Sequence, residues 1–173
     1  AIRALAETLG NGALKDPEAA TSFLARIVES TEDLEKLLDD MLILAQLDAM
    51  EELPEAGELV VREVLTAAAS RLAPQAAAKG VTISVQAPED LRVWCAEESL
   101  MVALVNLIDN AIKYTPAGGG VQVAAVPRNG HVQITVTDEG PGIPEGERER
   151  VFERFYRVEK GRSRAMGGTG LGL

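Results

Sequence analysis

Asn106-Leu107-Ile108-Asp109-Asn110-Ala111-Ile112-Lys113-Tyr114-Thr115 is the stretch whose pattern decides the rest of the chain. From Leu100 to Ile112 apolar residues recur three and four apart, the period of a helix laid on a core. At about 3.6 residues per turn, Asn106, Asn110 and Lys113 project within roughly 60° of one another. Two carboxamides buried without partners would cost roughly 1–3 kcal/mol each, so one reading supplies a buried hydrogen-bond network. The other is a ligand site. Carboxamide oxygens are hard metal ligands and a lysine ammonium seeks phosphate, a set suited to a magnesium-bound polyphosphate. The stretch by itself leaves both open.

Around this helix, which the pattern predicts over Glu97–Tyr114, short strands and helices alternate. Leu59-Val60-Val61 reads as a strand, Arg62–Lys79 as an Ala/Leu-rich helix ended by Gly80, and Val81–Val85 and Leu91–Trp94 as strands. Thr115-Pro116 and three glycines close the asparagine helix. Val121–Val126 and His131–Thr137 follow as strands, and Asn129-Gly130 between them predicts a tight hairpin. The sum is an α+β layer with helices on one sheet face.

Further upstream, Ala1–Leu9 is helix-forming and stops at Gly10-Asn11-Gly12. Asp16-Pro17-Glu18 then starts a second helix, with Asp as cap and Pro at the first helical position. Leu24, Ile27, Thr31, Leu34, Leu38, Met41 and Ala45 form a heptad seam, and Val28, Leu37, Leu42 and Leu44 widen it. A hairpin with so broad an apolar face suits a four-helix bundle made by two copies, that is, a homodimer. Glu51–Gly57, with Pro54, reads as a linker, giving a hairpin over 1–50, a linker over 51–57 and a second domain over 58–173.

The 173 residues are 46% hydrophobic, enough for one ordinary core and an appendage. With 17 basic against 27 acidic residues and a net charge of −10, phosphate repulsion argues against a nucleic-acid partner. The single cysteine, Cys95, excludes an internal disulfide and a cysteine metal cluster, fits a reducing compartment, and beside Trp94 reads as a small buried hydrophobe. No apolar run is long enough to span a membrane and no signal peptide opens the sequence. The start at Ala1 and the end inside a glycine motif suggest a segment of a longer protein.

Three downstream stations carry chemistry. Val132, Ile134, Val136 and Asp138 share one strand face, and Asp138-Glu139-Gly140-Pro141-Gly142 lets a planar ligand approach backbone while Asp138 accepts a hydrogen bond from its edge, as from an adenine amino group. The plain alternative is a turn. Phe152-Glu153-Arg154-Phe155-Tyr156-Arg157 gathers scarce aromatics; Phe152 and Phe155 read as pins onto the core, and Arg157 reaches for phosphate. Lys160 to Gly172 mixes basic residues with glycines, either a tail or an anion nest of backbone N–H groups.

The order of these stations resembles the N, G1, F and G2 boxes of the sensor histidine kinase ATP-binding domain: Asn-x-x-x-Asn-Ala, Asp-x-Gly-x-Gly, Phe-x-x-Phe, Gly-Thr-Gly-Leu-Gly. That domain belongs to the Bergerat-fold ATPases, an α/β sandwich. The resemblance implies ATP and magnesium as ligands, with Asn110 on the metal, Asn106 supporting it, Lys113 on phosphate and Tyr114 beside the nucleotide. Asp138 corresponds to the adenine-reading carboxylate, with Gly140 and Gly142 shaping its pocket. Arg157 to Gly168 corresponds to the ATP lid, and Gly168, Thr169, Gly170, Leu171 and Gly172 to the phosphate cradle. It further implies γ-phosphoryl transfer to a histidine on the hairpin, then to an aspartate of a response regulator, in a cytoplasmic kinase core whose membrane anchor, if the parent has one, lies outside this stretch. The acceptor histidine is expected upstream of Ala1, because the one histidine, His131, sits in a strand as an ordinary surface residue. The alternatives are a nucleotide-binding pseudokinase and a non-kinase Bergerat ATPase, against which stands Asn106 where those ATPases carry a glutamate.

Overall fold

A computed structural model describes residues 2–49, 55–153 and 156 of the chain. Two compact units result, one within residues 2–49 and one within residues 55–152.

The first is a helical hairpin. Helix α1 spans Ile2–Gly10, and after a 3-10 turn at Ala13–Lys15, α2 runs over Pro17–Ala49. Gly12, with φ of 124°, makes the reversal that a side chain would oppose. Asp16 caps α2 as its sequence predicts: Oδ1 accepts from the Glu18 and Ala19 N–H groups at 3.1 and 3.2 Å. Leu9 and Ala20 are buried within the hairpin, whereas, among the described residues, Leu24, Val28, Leu34, Leu38, Met41 and Leu42 of the apolar seam are exposed.

The second unit holds β1 (Gly57–Val60), α3 (Val61–Lys79), β2 (Thr82–Gln86), β3 (Arg92–Cys95), α4 (Glu97–Tyr114), β4 (Gly120–Arg128) and β5 (His131–Asp138). Gly57, assigned to the linker for its breaker chemistry, instead opens β1, where it pairs with Cys95. β1 and β3 form an antiparallel ribbon; β2, β4 and β5 form a second sheet in which β2–β4 is parallel and β4–β5 antiparallel. The hairpin between β4 and β5 turns at Asn129 and Gly130 with φ of 50° and 79°, the two positive values a tight two-residue turn needs.

One core joins the layers. Val61, Leu65, Leu72, Leu104, Ile108 and Ile112 from the helices meet Val121, Val123 and Ala125 of β4, with Ile83, Val85, Ile134 and Val136 half-buried against them. Registry aligns these rows: Val121 faces Ile83 on one side and Asp138 on the other, and Val123 faces Val85 and Val136. Burying one such aliphatic side chain is worth about 1.5–3 kcal/mol.

Alternation on β3 corrects the expectation of a buried Cys95. Val93 and Cys95 point inward and are half-buried, so Cys95 is not fully enclosed, and Trp94 points away, 72% exposed. Phe152, read as a pin onto the core, is 69% exposed at the end of a 3-10 turn over Arg150–Phe152. Phe155 lies outside the described residues.

Candidate functional site

Helix α4 buries Leu104, Ile108, Ala111 and Ile112. At about 100° per residue, the Asn106, Asn110 and Lys113 set lies roughly opposite that buried stripe. All three are half-exposed, so the amides are not receivers of a core network. The buried-network reading loses its premise, since the face lies away from the core. Asn110 and Lys113 each take part in further polar contacts. The Lys113 ammonium lies 5.8 Å from the centroid of the Tyr114 ring, a cation–π distance that orders the last turn.

The chain leaves the helix abruptly. Thr115 takes an extended conformation, φ −69° and ψ 131°, as a residue before proline must. It is fully buried, with its hydroxyl donating to the Ala111 carbonyl at 2.7 Å, so the exit from α4 is fixed from within.

Across from this exit, β5 ends at Asp138, whose register partner is the buried Val121. Asp138 therefore continues the inward face of the strand but emerges at its rim, exposed. Its Oδ1 accepts from the Gly140 N–H at 2.8 Å, which curls the loop back on itself. The loop touches the α4 exit at Gly140. A Cβ there would lie 2.6 Å from Asp138 Oδ1 and 3.0 Å from the Tyr114 carbonyl oxygen. Gly142 is different: its φ of 71° calls for glycine although space around it is open.

Tyr114, Asp138 and Gly140 are thus brought together, with Lys113, Asn110 and Asn106 in successive turns of α4 leading away from them. The donor set suits a hard cation, since carboxamide oxygens on an accessible helix face can ligate magnesium while the lysine addresses phosphate. Arg157, Gly168, Thr169, Gly170, Leu171 and Gly172 lie outside the described residues, as does the whole segment 157–168 expected to form a lid. His131 is an exposed strand residue beside the β4–β5 turn, as expected.

Two tethering contacts around these elements escape sequence reasoning. Glu139 Oε2 accepts from the Gly120 N–H at 2.9 Å, tying the Asp138 loop to the glycine turn after α4. Gln75 donates to Asp109 Oδ1 at 2.7 Å, linking α3 to α4. Neither contact is local in sequence, so no spacing rule could reveal it; for Gln75 the signal is only a polar residue on the predicted flank of a core helix.

Comparison with known proteins bears on the family and the fold. Residues 95–173 match the family model of histidine kinase-, DNA gyrase B- and HSP90-like ATPases. The sensor-like histidine kinase SenX3 of Mycolicibacterium smegmatis is 39% identical over 100% of this chain and 45% of its own length. Among solved structures, the mycobacterial sensor histidine kinase MprB is 33% identical, with a TM-score of 0.56 over 66% of this chain and 72% of that one. ShkA, crystallised at full length in complex with AMPPNP, is 30% identical with a TM-score of 0.70 over 90% of this chain and 32% of that one. The chain spans less than half the length of the curated relatives it matches. On the strength of these likenesses and of the four sequence boxes, the chain belongs to the histidine kinase-, DNA gyrase B- and HSP90-like ATPase family, in its sensor histidine kinase branch.

Proposed function

We propose that this chain is the core of a sensor histidine kinase that binds magnesium-ATP and transfers its γ-phosphoryl group to a histidine on the hairpin helix upstream of Ala1. The observation that carries this reading is the meeting of Tyr114 with Asp138 and Gly140, at a spacing where even one added methyl group would collide. The base is read at that junction: Asp138 accepts from the adenine amino group, Gly140 and Gly142 leave room for the ring, and Tyr114 flanks it. Asn110, with Asn106 beside it, holds magnesium, and Lys113 holds the phosphates. Magnesium neutralises phosphate charge when bound. Arg157 and the Gly168–Gly172 cradle complete the phosphate end.

In the transfer, the bond between the γ-phosphorus and the β–γ bridging oxygen breaks as a bond from the γ-phosphorus to an imidazole nitrogen forms, and ADP leaves. Such chemistry asks little of the protein beyond alignment and charge stabilisation, which fits a site without a nucleophile of its own. The hairpin up to residue 50 serves dimerisation and phosphotransfer, and the catalytic domain begins at β1. Two copies pair through the α2 seam, and the receiver domain of a response regulator docks on the hairpin to take the phosphoryl group onto an aspartate. The core works in the cytoplasm. No helix of the described residues is long and apolar enough to cross a membrane.

The test is labelling of the longer parent protein, acceptor histidine included, with γ-labelled ATP. Asn110→Asp should abolish it, because a carboxylate in place of the amide repels phosphate and alters the metal's ligand set. Undiminished label in Asn110→Asp refutes the metal role; a parent that binds ATP yet never acquires label is a nucleotide-binding partner module instead.

A further inference from the structure

The last turn of α4 raises a problem of unsatisfied backbone. An α-helix leaves its last four carbonyls without intrahelical partners, here those of Ala111, Ile112, Lys113 and Tyr114. Ala111 is served by the N–H of Thr115 at 3.0 Å and by its hydroxyl at 2.7 Å. The next donor in line, which would serve Ile112, belongs to Pro116 and does not exist. The extended Thr115 has meanwhile turned the chain away from Lys113. Both carbonyls are instead met from another element: Lys79 Nζ donates to the Ile112 oxygen at 2.9 Å and to the Lys113 oxygen.

Lys79 is well placed for this. It is the last residue of α3, half-buried, and is followed by Gly80 in the left-handed conformation with φ of 72°. Gly80 in turn accepts, through its carbonyl, the N–H of Gly118 at 2.9 Å, so the end of α3 is fastened both to the last turn of α4 and to the loop beyond it. A positive charge at this point also opposes the negative end of the α4 dipole. The turn so held is the one that carries Lys113 and Tyr114.

We propose that Lys79 is a positioning residue for nucleotide binding. It substitutes for the N–H that Pro116 lacks and for the helical continuation that the extended Thr115 turns away from Lys113, and thereby fixes Lys113 and Tyr114 relative to Asp138; the assignment rests on the nucleotide-binding reading above.

The test uses the full chain. Affinity for a non-hydrolysable ATP analogue with magnesium is measured by calorimetry, and thermal midpoints are measured without nucleotide. Lys79→Met keeps the apolar stem and removes the donors; its Kd should rise on the order of tenfold, the effect of losing a charge-assisted pair of hydrogen bonds at the site wall. Lys79→Arg, which can reach the same carbonyls, should restore Kd to within about twofold of wild type. Gln75→Ala breaks the other α3–α4 tether, the bond to Asp109, and should leave Kd within about twofold even where it lowers the melting temperature. Equal affinity of wild type and Lys79→Met overturns the assignment alone, as does a rise in Gln75→Ala that matches that of Lys79→Met. A wild-type chain that binds no analogue overturns the nucleotide-binding reading and this assignment together. Should Lys79→Met fail to fold, Lys79→Gln, with a donor of shorter reach, is held to the same criterion.

Discussion

Substituting alanine at Gly140 probes the junction on which the site depends. Gly140 is not one of the positive-φ glycines, so alanine meets no dihedral penalty there and the outcome is purely steric. The added carbon would sit 2.6 Å from Asp138 Oδ1, 3.0 Å from the Tyr114 oxygen and 3.3 Å from the Tyr114 carbonyl carbon. Carbon–oxygen contacts settle at about 3.3 Å or more, so the carboxylate must retreat by roughly 0.7 Å and the Tyr114 carbonyl by roughly 0.3 Å. The first movement breaks the bond that Asp138 accepts from the Gly140 N–H; the second displaces backbone that the buried Thr115 holds in place. Overpacking of this kind costs about 1–3 kcal/mol. For a unit near a hundred residues each kcal/mol lowers the midpoint by roughly 4–8 °C, so circular dichroism should record a fall of at least about 4 °C. On the proposed nucleotide-binding reading both displaced groups belong to the base site, so the calorimetric Kd for an ATP analogue should rise by about tenfold for every 1.4 kcal/mol by which the bound geometry resists them. Gly142→Ala is the control, since nothing lies within 4 Å of its added carbon and only the φ of 71° opposes it. That variant should lose roughly 1–2 kcal/mol of loop stability without moving Tyr114. If Gly140→Ala melts and binds as wild type does, the contact between the Asp138 loop and the α4 exit is not what shapes the pocket.

Two further outcomes concern the hairpin. Leu38→Glu, placed in the exposed α2 seam, should leave each hairpin folded yet convert the proposed dimer to monomers in sedimentation at tens of micromolar, and an unchanged sedimentation coefficient would remove the seam from the proposed interface. Asp16→Ala removes the side-chain acceptor of two N–H groups and should cost the hairpin about 0.5–2 kcal/mol, read as an earlier loss of helical signal on heating.

Much of this was visible in the residues because the relevant physics is local. Asp16, Gly80, Pro116 and the Asn129-Gly130 pair set element boundaries through dihedral and capping rules that act over a few residues. The three- and four-residue spacing of α4 placed Asn106, Asn110 and Lys113 on one side correctly. What the spacing left open was the environment of that side, which depends on which stripe faces the sheet; the burial of Leu104, Ile108 and Ile112 decides it. Cys95 and Phe152 were misjudged for the same reason, since hydrophobicity says that a residue would gain from burial and not that a partner surface is there. Lys79, Gln75 and Glu139 act across gaps of dozens of residues or between strand and loop, where no periodicity reaches.

The parallel pairing of β2 with β4 has a kinetic meaning. Thr82 sits opposite Gly120, so β3 and all of α4 lie on the crossover between the two strands. Closing that connection is a long-range event, slow in comparison with forming α4 or the β4–β5 hairpin, which are local. Until it closes, the end of α4 and the glycine turn have no fixed strand to sit against, and Asp138 has no partner row beyond β4. The pocket is therefore a late product of folding. On the proposed nucleotide-binding role, a newly made chain becomes competent for nucleotide only when this crossover has closed, so that binding reports completion of the sheet and not merely the presence of its helices.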